Sequence, residues 1–118
     1  MINRLIISFC FFSLPLIANA THCDKVLAND KLIVCLGDDY NEADKRLNEV
    51  YKSLRTKLGP EEKQSLKHSQ RAWLNKRDDQ YDAEAAPTAG GQVYQPTYIQ
   101  CQIDMTNSRV KLLKARKW

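Results

Sequence analysis

An all-α fold is predicted by three observations. Apolar residues recur in steps of three and four along most of the chain, no segment sustains strand alternation, and Gly-Pro and Gly-Gly pairs divide the helical stretches. The expected architecture is an antiparallel helical hairpin, a third long helix packed across it, and a short disulfide-tied helix at the N-terminus.

The first twenty of the 118 residues read as a secretory signal peptide. Arg4 gives a basic start, residues 5–17 are an apolar run too short to span a bilayer comfortably, and Ala18-Asn19-Ala20 offers a cleavage site after Ala20. Neither Cys10 nor Cys23 follows the small residue that a lipidated cysteine needs, so no lipid anchor is expected. Residues 21–118 then form one exported domain, periplasmic or secreted, with no integral membrane segment once the leader is removed.

Taking Arg4 from the 18 basic residues leaves 17 against 14 acidic ones, a net charge of +3. The charges are interspersed, which leaves no footprint for nucleic acid. The basic C-terminal stretch, residues 111–118, suits the negative end of a helix dipole; contact with an anionic surface is the rival reading.

Cys23 and Cys35 flank Asn29-Asp30, which lets the chain fold back, and an oxidising compartment permits them to pair. Cys101 is then left over, expected as a buried thiol or else as an intermolecular link. A short helix is expected over 29–36, capped by Asn29 or Asp30 and stopped by Gly37. Asp39 with Glu42 has capping-box spacing for the next helix, whose stripe runs through Tyr40, Ala43, Leu47, Val50 or Tyr51, Leu54 and Leu58. Ile33, Leu36, Tyr40 and Ala43 also keep one register across Gly37, so a single kinked helix competes with two; the Gly-Asp-Asp run favours a break.

Gly59-Pro60 ends that helix and starts another, which the very short connection forces to run antiparallel. This helix, to about Ala85, carries the most informative run in the chain, Gln70-Arg71-Ala72-Trp73-Leu74 followed by Arg77-Asp78. Leu66, Trp73, Leu74 and Tyr81 form its apolar stripe, and Gln70 and Arg77 share that stripe. An amide, a guanidinium and an indole turned toward one partner must find hydrogen-bond partners there. Residues 86–96 hold two prolines and Gly90-Gly91 and read as a loop. The last helix begins near Thr97, with Ile99 or Cys101, Ile103, Met105, Thr106, Val110 and Leu113 facing inward.

No catalytic constellation is found. His22 and His68 are the only histidines, and there is no His-Glu-x-x-His, Cys-x-x-Cys or nucleophile elbow. A metal held by His22 and Cys23 would compete with the disulfide, so neither metal nor cofactor is expected. The pairs Asp38-Asp39 and Asp78-Asp79 point apart on a helix and do not converge on one bond.

In its order and spacing of motifs the chain resembles the LprI-like lysozyme-inhibitor family, small exported all-α bacterial domains. The resemblance rests on Cys23 and Cys35, on Ala43-Asp44 with Leu47-Asn48 and Tyr51, on the Gln70–Asp78 run, and on Gly90-Gly91, Cys101, Thr106 and Arg109. Many members carry a cysteine where Tyr81 stands here, able to pair with the one at Cys101. That option is gone, which favours a free Cys101. The resemblance implies a cell-envelope protein that inhibits a lysozyme-type muramidase. The alternatives are an envelope structural or interaction module without inhibitory activity, and an immunity protein against a cell-wall hydrolase toxin.

Two groups of residues follow from these readings. Asp44, Asn48, Gln70, Arg71, Trp73, Arg77 and Arg109 are expected to form a structural polar network joining the long helices, with Arg71 or Arg77 paired to Asp44 or Asp78. Gln92, Val93 and Tyr94 at the loop, with Asp78, Asp79 and Asp82 beside it, are the expected partner-binding residues. Lysozymes of the common animal type are strongly basic, so a chain of +3 gains nothing from long-range attraction, whereas the local acidic patch of Asp78, Asp79, Asp82 and Glu84 can steer docking.

Overall fold

The computed structural model describes residues 22–118; the expected leader and its cleavage site lie outside them. A short 3-10 turn, His22–Lys25, leads into the first long helix, α1, Asn29–Lys57. No side chain caps α1: its N-cap is Ala28, whose carbonyl accepts from the Leu32 amide at 2.9 Å. The break expected at Gly37 does not occur, and α1 runs through it unbroken. The register shared by Leu36, Tyr40 and Ala43 decides the matter. Stopping the helix would cost a set of aligned inward contacts, while one interior glycine costs only about 1 kcal/mol.

Leu58 and Gly59 turn the chain, and Pro60 occupies the first position of α2, Pro60–Ala85, with Glu61 and Glu62 at the positive end of its dipole. A 3-10 turn, Ala86–Thr88, and a bend at Gly90 precede α3, Tyr94–Ala115. The last helix thus starts three residues before Thr97, since its first turn needs no side-chain cap. No strand occurs among the described residues.

The α1–α2 hairpin is open. Its two helices barely touch each other, and α3 lies in the fork against both. Tyr98 meets Tyr81 and Arg109 meets Gln70, so α3 runs antiparallel to α2. Ile103 packs with Leu36 and Asn107 accepts from Arg46 at 3.1 Å, so it runs parallel to α1. Lying between two partners, α3 buries residues on two faces, among them Cys101, Ile103, Met105, Thr106, Val110 and Leu113. This is why it lacks a single clean apolar stripe.

The core divides into three clusters along α3. Leu47, Leu66, Val110 and Leu113 fill the closed end of the fork, covered by Leu54, Leu58, Trp73 and the C-terminal Trp118. Cys23, Leu36 and Ile103 form the α1 side of the open end, and Tyr81, Cys101 and Met105 the α2 side. Trp73 packs on the first and third clusters and ties them together.

The expected Cys23–Cys35 disulfide is present, with Cα atoms 5.8 Å apart, and it fastens the N-terminal turn to α1. Cys101 departs from expectation. It is 1 % exposed, but it is bonded in a disulfide and is not a free thiol.

Candidate functional site

Arg109 is the best-buried charge in the described chain, 6 % exposed in the middle of α3. Its Nε donates to Gln70 Oε1 at 2.9 Å and its Nη2 to Ser69 Oγ at 2.8 Å, both on α2. Burial lowers its pKa from the usual guanidinium value, and Arg116 adds to the effect. Arginine keeps its proton regardless. The guanidinium carbons of Arg109 and Arg77 lie 5.7 Å and 5.1 Å from the Trp73 ring centre, and Arg77 is also 5.4 Å from the ring of Tyr81. Trp73, Arg77 and Tyr81 succeed one another at four-residue spacing, so their contacts follow from helix geometry. Arg77 Nε lies 3.5 Å from the carboxylate of Asp78, itself 66 % exposed, a weak pair in solvent.

The remaining members of the expected network lie apart. Arg71 is exposed. Asp44 accepts from Asn48 at 3.5 Å on the surface of α1, with no arginine between them. The polar joint therefore connects α2 to α3 through Ser69, Gln70 and Arg109, and α1 meets α3 separately through Arg46 and Asn107.

The expected binding residues gather at the open end of the fork. Tyr81, Tyr98 and Tyr94 form a ladder, with ring centres 5.1 Å and then 6.2 Å apart. Burial drives the Tyr81 phenol well above its ordinary pKa, with Arg77 the largest opposing influence. Tyr98 is also raised, by burial first and then by the negative charges of Asp82 and Asp78. Asp78, Asp79 and Asp82 are exposed, as are Gln92 and Val93, whereas Tyr94 is half-buried as the first residue of α3.

The loop between α2 and α3 is braced by its own hydrogen bonds. Thr88 Oγ1 donates to Ala85 O at 2.7 Å, and the Gly91 amide donates to Thr88 O at 3.0 Å. Gly90 has φ +83°, a conformation that side chains with a Cβ rarely adopt.

Two further carboxylates complete this end: Glu84, the last member of the acidic patch, and Asp104, which sequence patterning does not reveal. Glu84 accepts from Gln80 at 3.1 Å, and Asp104 accepts from Gln100 at 3.0 Å. Burial pushes the Asp104 carboxyl up to about 6, against a weaker lowering by Gln100. A signal was available: Asp104 stands between Ile103 and Met105, both in the inward set of α3.

The family model described as "Lysozyme inhibitor LprI" matches residues 23–113. The chain belongs to the LprI lysozyme-inhibitor family. The match begins at the first cysteine of the Cys23–Cys35 bridge and ends at Leu113, so it takes in α1, α2, α3 up to Leu113, the Arg109 joint and the open end of the fork. An uncharacterized protein of Rhizobium meliloti (strain 1021) is 27% identical over 105 residues, covering 78% of this chain and 76% of that protein. No solved structure matches. The LprI family is one of inhibitors, and no helix among the described residues is long and apolar enough to cross a membrane.

Proposed function

We propose that this protein is exported, loses residues 1–20, and inhibits a lysozyme-type muramidase in the cell envelope or outside it. Membership of the LprI family over residues 23–113 carries the reading. The open end of the fork supports it. An inhibitor of a basic enzyme needs local negative charge for docking and rigid aromatic or apolar groups for contact. Asp78, Asp79 and Asp82 supply the charge on the last turns of α2, and Val93 and Tyr94 supply the contact groups beside them. Gln92 adds a polar group on the adjoining turn. The braced loop keeps these groups in place, so little ordering cost falls on binding.

The test is inhibition of peptidoglycan lysis by the purified protein, with Tyr94→Ala and Asp78→Asn/Asp82→Asn variants. Both variants are expected to weaken inhibition at least tenfold. Tyr94→Ala should shift the melting temperature by no more than a few degrees, because the ring makes one tilted contact with Tyr98. Full inhibition by both variants would move the binding surface elsewhere on the domain.

A further inference from the structure

We propose that the cleft between the N-terminal disulfide turn, the end of α2 and the start of α3 receives a basic side chain, lysine or arginine, projected by a protein partner. The cleft has a volume of about 460 Å³, within the range of pockets that accept a small organic group. Val26, Leu32, Leu36, Val93 and Pro96 give it apolar walls. Its charged lining residues are Asp24, Glu84 and Asp104, all acidic, in a chain of net charge +4. Apolar walls with acidic groups suit a methylene stem that ends in a cation.

The carboxylates are positioned but, among the described residues, not neutralised. Glu84 and Asp104 each accept from a neutral amide four residues earlier on the same helix, Gln80 and Gln100. No described cation lies within ion-pair distance of either. Burial of Asp104 without a counter-charge costs stability, as its raised pKa reflects, and a cation brought by a partner would relieve that cost. A metal ion is a poor candidate, since no group of three His, Cys, Asp or Glu among the described residues converges on one point. Val93 of the lining is 59 % exposed, an apolar group suited to burial by a protein, and Leu27, which follows Val26 of the wall in the chain, is 94 % exposed.

That the partner is a muramidase rests on the proposed function above; the cation chemistry of the cleft does not. Two measurements on the protein purified after export separate these claims. In the first, amide shifts are followed by NMR while n-butylammonium, a lysine mimic, or n-butanol is added. Saturable shifts at Leu27, Val93 and Gln100 with butylammonium alone, weakened at least fivefold in Glu84→Gln/Asp104→Asn, support the cleft. Equal shifts with butanol, or no localised shifts, overturn it. In the second, muramidase inhibition by the double variant should fall at least tenfold. Undiminished inhibition by the folded variant overturns the cleft as the docking site. Butylammonium binding by a protein that inhibits no muramidase supports the cleft and defeats only the inhibitor reading.

Discussion

Replacing Arg109 with methionine removes the charge while keeping much of the stem's volume, and its effect can be worked from the geometry. The guanidinium donates two hydrogen bonds, at 2.9 Å and 2.8 Å, to residues about 40 positions earlier in the chain. Hydrogen bonds to charged groups contribute about 1.5–3 kcal/mol each. The contact with Trp73 at 5.7 Å adds about 0.5–1 kcal/mol. Against this stands the cost of burying a guanidinium with no carboxylate partner among the described residues, several kcal/mol in a dry site but less here, because Ser69 and Gln70 are only half-buried. The expected net loss for Arg109→Met is about 2–3 kcal/mol, a fall in melting temperature of about 10–15 °C for a domain of this size. Urea unfolding of Arg109→Met, Gln70→Leu and the double variant should give a coupling energy of about 1 kcal/mol or more. A loss below about 0.5 kcal/mol for Arg109→Met would refute the reasoning. It would mean that desolvation cancels the bonds and that packing around Trp73 alone holds α2 to α3.

Two further outcomes follow from the structure. Gly37→Ala should raise stability by about 0.5–1 kcal/mol in thermal or urea unfolding, because the glycine is helical and an added Cβ meets nothing within 4 Å; destabilisation would show that α1 is broken there. Asp104→Asn should also stabilise the protein at pH 7, by about 1 kcal/mol once the partial exposure of the group is allowed for. The folded carboxyl titrates at about 6 against an ordinary 3.8. The native state therefore holds this proton more tightly, and the wild type loses stability as pH rises from about 4 to about 6 and no more above. The variant should lack that slope, and identical pH profiles would contradict a buried, uncompensated Asp104.

Residue patterns announced much of the fold and less of the site. Gly59-Pro60 marks the hairpin turn in the sequence, and the short span between Cys23 and Cys35 marks the bridge, because both depend on local chain geometry. Continuity through Gly37 was harder to see, because a glycine and two aspartates look like a stop. What outweighs them is the packing of Leu36 on Ile103, a contact between residues distant in sequence. The same limit applies to the polar joint. The stripe of α2 names Gln70, Trp73 and Arg77, yet only the position of α3 reveals that Arg109 answers Gln70. Arg71 belongs to the same motif but turns to solvent, as its place one residue off the stripe requires. Asp104 is not legible in the sequence, because an acid within an apolar stripe shows its environment only when neighbouring helices close around it.

The central claim is most directly tested by mixing the exported, folded protein with muramidases of several structural types and following lysis of a peptidoglycan suspension. At least one enzyme should be inhibited at near-equimolar protein, with inhibition weakening as salt rises, because the docking charges lie on the surface. Unslowed lysis of every type at a large molar excess of the protein would contradict it.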